Sequence, residues 1–425
     1  MNRLLKLQNT IQPYAWGSHT AIAQLLGQAT PSSHPQAELW MGAHPKASSK
    51  VWYQGRWQSL DELVRQDPLP ILGAPVIERF GPQLPYLFKV LAVERPLSIQ
   101  AHPSQAMAEL GFSRENDQGI VLSAPHRNYR DDRHKPECLC ALTSFHALCG
   151  FRMPAEIRTL LDPVWPSHRR AHLDRLKGSD DGGALRDFFV YVMTMDKVER
   201  ASLVKDVAAA AQKLLGQNQA FDWIVRLYEA YPEDIGVLSP LLLHLITLRP
   251  GQALFLPAGR MHAYLKGVAV ELMANSDNVL RGGLTSKHVD VDELLRVLDF
   301  HSYPLEVLEP QPIGKLEQRY PSPAEEFELS VIRILPDQSH DSGRRRPMPE
   351  ILLCVDGTAK FQWEGSSKGL DLMRGESVLV PAAMERYQIQ GQTILYKAAV
   401  HDRVISQIGS KPIAAATPAK RDRID

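Results

Sequence analysis

One short pattern occurs twice in the chain. "GQALFLPAGRMH" runs from Gly251 to His262, and "GESVLVPAAMER" runs from Gly375 to Arg386. Both copies begin with glycine, continue after two spacers into three apolar residues, and then have proline and alanine. A pattern that returns at a distant position indicates two copies of one fold.

Each copy has the features of a short buried strand between a glycine turn and a proline loop. Such segments recur in double-stranded β-helix barrels, the cupin type of jelly roll. We therefore expect a mainly β protein with two cupin-type barrels. The last position of the pattern is His262 in the first copy and Arg386 in the second, so any chemistry at His262 is missing from the second.

A helical segment interrupts the β pattern. "DKVERASLVKDVAAAAQKLLGQ" has apolar residues at helical spacing after the candidate N-cap Asp196, and "FDWIVRLYEAY" predicts a second helix that ends before Pro232. Alternating strands precede this segment and resume at "HLITLRPGQALFLP". The predicted division is a discontinuous first cupin domain (1–152 and 238–308), a helical insertion (153–237), a C-terminal barrel without a metal site (309–405) and a polar tail (406–425).

The charge balance limits the class of partner. The 425 residues include 48 Lys and Arg and 48 Asp and Glu, so no overall field attracts nucleic acid or an anionic membrane. The longest apolar run, 238–248, is too short to cross a bilayer, and the first residues lack the apolar core of a secretion signal. The cysteines lack C-x-x-C spacing. We expect a cytoplasmic monomer with reduced cysteines, a small-molecule substrate, and no nucleic-acid or membrane partner.

The stretch "LSIQAHPS" alternates apolar and polar residues. Residues two apart share a face of a strand, so Ser98, Gln100 and His102 point to one side. On its own, such a face is typical of a solvated strand. A functional interpretation therefore needs partners from other segments.

His262 offers one partner. A two-residue hairpin turn at Lys266 and Gly267 would place His262 directly opposite Glu271, with both side chains on one face. The sequence thus predicts that a histidine and a carboxylate enter one pocket.

The segment "NYRDDRHKPECLCAL" adds His134, Lys135 and Glu137, the last two in phase on one strand face. We expect 131–133 to form a solvated loop. Together, the polar strand faces provide two imidazoles, an amide oxygen and carboxylates for one pocket. Such donors suit a borderline divalent ion such as zinc, and a surplus of positive charge there suits a substrate oxygen that becomes negative.

Several motifs in one order resemble the type I mannose-6-phosphate isomerases in their bacterial form. They are "YAWGS", "AELWMGAHPKASS", "QAHPS", "HKPE" and "HAYL" followed by "ELMANSDNVLRGGLTSKHVD". The resemblance covers the chain from near Gln12 to Asp290, with a weaker match through the C-terminal barrel. It implies a zinc-dependent enzyme that interconverts mannose 6-phosphate and fructose 6-phosphate.

The resemblance also implies roles for individual residues. The zinc ligands are Gln100, His102, Glu137 and His262, and Glu271 becomes a pocket carboxylate. Other implied active-site positions are Trp16, Glu38, Lys89, Ser98, Lys135, Arg281 and Lys287. The sequence departs from the family pattern at Arg133, where asparagine is expected, and at Ser286, where proline is common.

The implied reaction moves a proton between C1 and C2 of the sugar through an enediol. Zinc can polarise the carbonyl group, and Glu271 and Lys135 are both candidates for proton transfer. His134 is a candidate for ring opening. Arg281 and Lys287, in the glycine-rich "RGGLTSK", are candidates for binding the phosphate, and Arg281 also for acting on the reacting part of the sugar.

Two other functions fit part of the pattern. An iron-dependent cupin oxygenase would use two histidines and one carboxylate, and would show bound iron and oxygen uptake. A non-catalytic barrel would bind sugar phosphate without turnover. The glutamine ligand and the cationic loop favour the isomerase.

Overall fold

The computed structural model describes residues 2–176 and 182–408. Within these ranges the chain forms two antiparallel sheets and a group of helices between strands of the first sheet. The prediction of a mainly β protein with inserted helices is confirmed. Most of the predicted polar tail lies outside the described residues, and its first residues end the helix Arg403–Ile408.

The first sheet contains the strands expected to carry the site. The long strand His262–Ala274 pairs with strands on both of its sides. The strands of this sheet are Thr10–Gln12, Glu38–Met41, Tyr86–Val93, Ile99–Ala101, Glu137–Ala141, Phe145–Phe151, Leu243–Leu248, Ala253–Leu256, His262–Ala274 and Leu280–Gly283.

The second sheet combines the C-terminal strands with three from the start of the chain. Leu5–Gln8 pairs with Ser377–Val380 and with Lys50–Tyr53, so the N-terminal segment is shared between the two sheets. The strands are Leu5–Gln8, Lys50–Tyr53, Arg56–Ser59, Gln311–Pro312, Glu317–Arg319, Glu328–Ile334, Ser339–Asp341, Glu350–Gln362, Leu370–Met373, Ser377–Val380, Gln388–Gln390 and Thr393–Ala399.

The two helices expected from the apolar spacing form as predicted. Lys197–Gln212 begins after Asp196, whose carboxylate accepts hydrogen bonds from the backbone N–H groups of Val198 and Glu199. The inserted helices are Pro154–Leu161, Arg170–Asp174, Gly183–Met193, Lys197–Gln212, Gln219–Ala230 and Ser239–Leu242, with short 3-10 turns at Ser167–Arg169 and Ile235–Leu238. The other helices are Ala21–Leu25, Leu60–Gln66, Pro68–Leu72, Ala74–Phe80, Gln105–Asp117, Val291–Val297 and Arg403–Ile408.

The repeated pattern has the same local structure in both copies. Gly251 and Gly375 have φ values of 89° and 86°, a region that favours glycine, and each turn leads into a four-residue strand. The copies then diverge. His262 starts the long strand of the first sheet, whereas Arg386 lies in a loop on the surface and forms an ion pair with Asp341.

The predicted hairpin at Lys266 and Gly267 is wrong. His262–Ala274 is one continuous strand in which Lys266 pairs with His146, and Gly267 pairs with Val93. Neighbouring strands on both sides outweigh the weak turn preference of Lys-Gly. The register shifts between Tyr264 and Lys266, so Leu265 is an extra residue in a β-bulge.

The bulge decides which side chains share a face. Residues nine apart would point to opposite faces of a regular strand, but one extra residue reverses that relation. Consistent with this, Tyr264 and Ala269 pack in one apolar cluster, while Val270 and Leu272 pack in another between the sheets. His262 and Glu271 therefore face the same side, by a different route from the predicted hairpin.

The inserted helices and strands of the first sheet share one apolar core, to which Phe188 and Leu203 of the helices and Leu148 of the sheet belong. A second core lies between the two sheets and contains Val90 and Leu353. All four cysteines are buried, free thiols. Among the described residues, no helix combines the length and apolar character needed to cross a membrane.

Candidate active site

The short strand Ile99–Ala101 lies between two strands that carry candidate residues. Gln100 is paired with His262 on one side and with Arg281 on the other. Cross-strand partners project from the same face with Cβ atoms about 5 Å apart. The sheet therefore puts a candidate metal ligand next to a candidate anion-binding arginine.

Three of the four candidate ligands lie together, with two imidazoles facing the carboxylate of Glu137. Nε2 of His102 lies 3.1 Å from Oε1 of Glu137, and Nε2 of His262 lies 3.5 Å from Oε2. All three side chains are buried, and their ligand atoms lie within 4.8 Å of one another. The fourth candidate, Gln100, is half-buried, and its amide nitrogen lies 3.4 Å from Oγ of Ser98. Its side-chain oxygen is the atom suited to a metal.

The orientation of the two imidazoles fits a metal ion. Nδ1 of His102 lies 2.8 Å from the carbonyl oxygen of Asn278, and Nδ1 of His262 lies 3.0 Å from that of Arg260. A carbonyl oxygen only accepts, so we assign the hydrogen to Nδ1 in both rings. Each Nε2 then directs a lone pair towards Glu137.

Lone pairs that face a carboxylate repel it unless a cation lies between them. Burial, with a contribution from Lys135, lowers the pKa of His102 to about 4, so this ring is neutral at pH 7. Nε2 of His102 is also buried without a hydrogen-bond partner in the described part of the chain. Two histidines and a carboxylate in this arrangement match the donor set of zinc sites.

Other groups keep Glu137 ionised. Burial acts to raise the pKa of its carboxyl, but the ammonium group of Lys135 holds it well below its usual range. Nζ of Lys135 lies 2.9 Å from Oε1, and the hydroxyl of Tyr264 donates to Oε2 at 3.1 Å. Sequence reasoning missed Tyr264, although its position two residues after His262 places it on the same face.

Lys89, Glu271 and Glu38 form a second buried group. Nζ of Lys89 lies 3.0 Å from Oε2 of Glu271 and 3.4 Å from Oε2 of Glu38. Burial acts to lower the pKa of Lys89, but Glu271 and Glu38 raise it above its usual value. Burial raises the pKa of Glu271, and Lys89 opposes this effect. Trp40 donates to Glu38 at 2.5 Å and so fixes that carboxylate.

A cavity of about 1300 Å³ opens beside these groups. It extends to the inserted helices, which contribute Arg200 and Tyr231. The predicted site residues that line it are Trp16, Glu38, Ser98, Gln100, Arg281 and Lys287. His134 is not among its lining residues, and its Nε2 lies 2.7 Å from Oε1 of Glu326.

A group of cations lies next to the paired strands Ile99–Ala101 and Leu280–Gly283 and consists of Arg281, Lys287 and Arg130. Burial and the nearby Arg130 lower the pKa of Arg281, and burial, Arg281 and Arg130 lower the pKa of Lys287. Within the described ranges, neither Arg281 nor Lys287 forms an ion pair with a carboxylate. Positive charges held close together without a counter-charge repel one another, and a bound anion reduces this repulsion. Arg130 was missed by sequence reasoning because it precedes a charged stretch that predicts a solvated loop.

The predicted solvated loop is wrong for Asp131, whereas Asp132 is exposed as expected. The side chain of Asp131 is partly buried, and Oδ1 accepts a hydrogen bond from Oγ of Ser276 at 2.8 Å. Oδ2 accepts one from the backbone N–H of Asp277 at 2.8 Å. A carboxylate that binds a neighbouring turn in this way is structural.

Asn278 connects this loop to the candidate ligand His102. Its backbone carbonyl binds Nδ1 of His102, and its side-chain nitrogen donates to the carbonyl oxygens of Asp131 and Arg133, both at 2.8 Å. Its side-chain oxygen accepts from the N–H of Arg130 at 2.6 Å. The residue is fully buried. No sequence signal identified it, because its contact with His102 uses the backbone.

Asn278→Ala is expected to weaken divalent-metal binding about tenfold, since partners that orient a ligand typically contribute at least that much to affinity. Without the Asn278 side chain the loop at Asp131 and Arg133 is no longer held. The backbone carbonyl that binds Nδ1 of His102 should then shift. Metal affinity would be measured by competition with a chelator. Asn275→Ala is the matched control, because Asn275 donates instead to Leu84. An unchanged metal affinity in a normally folded Asn278→Ala protein would contradict this role.

The geometry agrees with comparisons to known proteins. Residues 4–154 match the model of the phosphomannose isomerase type I catalytic domain, and residues 167–243 match that of its helical insertion domain. Mannose-6-phosphate isomerase of Escherichia coli (strain K12) is 42% identical over 389 residues, which are 91% of this chain and 97% of that protein. The Homo sapiens enzyme is 38% identical over 329 residues, which are 70% of this chain and 73% of that protein.

Solved structures give the same result. A crystal structure of zinc-bound mannose 6-phosphate isomerase superposes with a TM-score of 0.86 at 39% identity, covering 93% of this chain and 98% of that one. A glutamate-to-alanine variant of phosphomannose isomerase from Salmonella typhimurium superposes with a TM-score of 0.87 at 38% identity, with the same coverage of both chains.

Proposed function

We propose that the site described above catalyses the isomerisation of the sugar phosphate, since the chain belongs to the type I phosphomannose isomerase family and is a zinc-dependent mannose-6-phosphate isomerase. In this proposal the enzyme interconverts mannose 6-phosphate and fructose 6-phosphate. The convergence of His102, Glu137 and His262 carries the proposal, because these residues come from three separate segments.

We propose that Gln100, His102, Glu137 and His262 hold the zinc ion. The Nε2 atoms of both imidazoles face the ionised carboxylate of Glu137, which supports this assignment. When bound, zinc supplies Lewis-acid polarisation of the sugar oxygens next to the reacting carbons. The fixed ring orientations mean that little reorganisation is needed on binding.

We propose that Arg281 and Lys287 bind the phosphate group and that Trp16, Glu38 and Ser98 line the sugar. The absence of a counter-charge for Arg281 and Lys287 in the described structure supports this assignment. Arg130 increases the positive potential behind them. A phosphate held here lies next to Gln100, which pairs with Arg281 across the strands.

We propose that Lys135 and Glu271 move the proton between C1 and C2. Lys135 lies against Glu137, and Glu271 lies against Lys89, so both face the ligand side of the first sheet. In this scheme Lys89 keeps Glu271 in place. Arg281 also orients the reacting end through the phosphate. A role of His134 in ring opening stays a prediction. Its ring contacts Glu326.

We further propose that the two sheets belong to two cupin-type barrels with the predicted division into domains. The shared turn and strand of the two pattern copies support this. A cytoplasmic location and a monomeric state stay predictions. In the C-terminal barrel, Glu328, His401 and Asp402 lie close enough to hold a metal, but both carboxylates pair with Arg319.

Arg386→Ala is expected to leave turnover within about twofold of the parent, because substitutions at exposed positions far from a site have small effects. Arg386 takes the place of His262 in the second pattern copy, is exposed and contacts Asp341. Steady-state kinetics on mannose 6-phosphate would check this. A large loss of turnover with normal folding would mean that the C-terminal barrel takes part in catalysis.

The proposed function is tested by a coupled assay of mannose 6-phosphate conversion with and without a chelator. Activity that disappears with the metal and returns with added zinc is the expected result. Binding of sugar phosphate without any turnover by the zinc-loaded protein would instead support the non-catalytic barrel considered above.

A further inference from the structure

The second sheet encloses a cavity of its own, of about 330 Å³. It shares no lining residue with the candidate active site. A cavity of this size lies at the lower end of those that bind small molecules.

The walls of this cavity are charged. Nζ of Lys397 lies 2.5 Å from Oε1 of Glu317, and Nε of Arg345 donates to Oε1 of Glu350 at 3.0 Å. The hydroxyl of Tyr387 donates to the other oxygen of Glu350 at 2.9 Å. Burying ion pairs costs desolvation, and apolar side chains of similar volume stabilise a fold at least as well. A barrel that only had to pack its strands would not need these charges.

One buried group in the wall lacks a partner. His340 is about nine-tenths buried, and its Nε2 makes no hydrogen bond in the described part of the chain. Oε2 of Glu317 lies 3.8 Å from this nitrogen, which is too far for a hydrogen bond. The other oxygen of Glu317 already binds Lys397 and Ser330. A buried polar atom without a partner costs free energy.

A hydroxyl group between His340 and Glu317 would satisfy both side chains. It donates its one hydrogen to the carboxylate and accepts a hydrogen bond from Nε2 of the imidazole, which therefore carries the ring hydrogen. The other two interior pairs present carboxylate and ammonium or guanidinium groups, which also bind hydroxyl groups.

Three consecutive arginines, 344–346, line the cavity. Arg345 forms an ion pair with Glu350, and Nη1 of Arg346 lies 3.0 Å from Oδ2 of Asp402. Arg344 is exposed and forms no hydrogen bond or ion pair within residues 2–176 and 182–408. A guanidinium group suits a phosphate through two parallel hydrogen bonds.

We propose that this cavity binds a small hydroxylated anion of the sugar-phosphate class, with a hydroxyl group between His340 and Glu317 and the phosphate at Arg344. The site is separate from the catalytic one. It gives the C-terminal barrel a ligand-binding role that does not require a metal.

The test uses glucitol 6-phosphate, which has no carbonyl group and so cannot be isomerised. Calorimetry on the zinc-loaded parent should give two equivalents bound per chain. Arg281→Ala, which weakens the catalytic site, should keep one of them. Adding Arg344→Ala to that variant should weaken the remaining site about tenfold or more. Arg374→Ala is the matched control, because Arg374 is exposed and does not line the cavity.

His340→Gln provides a second measurement that does not rely on Arg344, and it should also weaken the remaining site. Arg344→Ala and His340→Gln alone should leave kcat on mannose 6-phosphate unchanged. The proposal is overturned if the parent binds only one equivalent, if Arg281→Ala retains none, or if neither Arg344→Ala nor His340→Gln weakens the equivalent that Arg281→Ala retains. Equal affinity for inorganic phosphate would overturn the hydroxyl contact, and equal affinity for unphosphorylated glucitol would overturn the phosphate contact.

Discussion

His262→Ala is expected to abolish nearly all turnover of mannose 6-phosphate and to lower zinc affinity more than about 100-fold. Loss of a residue that merely orients a ligand already costs 10- to 100-fold, and His262 is itself a proposed ligand. Its Nε2 faces Glu137 at 3.5 Å, so no other side chain replaces it. Zinc content by elemental analysis and steady-state kinetics measure the two effects.

The fold should survive this substitution, because apolar strands hold the two sheets together. Far-UV circular dichroism and thermal unfolding of His262→Ala check that point. Arg386→Ala is a matched control, since it changes the equivalent position of the second pattern copy. Full turnover by metal-free parent protein, or normal zinc content in His262→Ala, would refute the proposed metal site.

Arg281→Ala is expected to lower kcat/KM for mannose 6-phosphate by about 10- to 100-fold, because a hydrogen bond to a charged group contributes about 1.5 to 3 kcal/mol. Phosphate binding energy can be used at the reacting carbons. The loss should therefore appear in kcat as well as in KM. The neighbouring Lys287 and Arg130 keep part of the positive potential, so phosphate affinity is reduced and not eliminated.

Unphosphorylated mannose separates the possible roles of Arg281. It should be a very poor substrate of the parent, and Arg281→Ala should reduce its conversion far less than that of the phosphate ester. Arg249→Ala, which removes an exposed arginine outside the cavity, should change neither rate. Equal proportional losses on both substrates would assign Arg281 to the reacting carbons and move the phosphate assignment to Lys89, Ser98 and Lys287.

Patterns that depend on strand periodicity were predictable from the sequence. The shared face of Ser98, Gln100 and His102 and the two copies of the glycine-strand-proline pattern follow from local rules that neighbouring strands reinforce. Two of the inserted helices follow from apolar spacing, one of them with a capping aspartate. These features need no knowledge of which strands pair.

Features that depend on pairing were not predictable in the same way. The Lys266 and Gly267 turn failed because strands on both sides extend the pairing, and a single sequence does not reveal those neighbours. Asp131 was misread because residue type alone does not separate a solvated aspartate from one that binds a neighbouring turn. Asn278 was missed because a backbone carbonyl leaves no trace in residue type.

Because of the bulge at Leu265, the number of residues between His262 and Glu271 decides whether their side chains share a face. His262 and Glu271 reach the same pocket only because one unpaired residue lies between them. Removing that residue, or adding another, would turn one of these side chains out of the pocket while leaving composition and hydrophobicity almost unchanged. The spacing of this segment is thus part of the active site, in the sense that a one-residue change in length is equivalent to losing either the histidine or the glutamate.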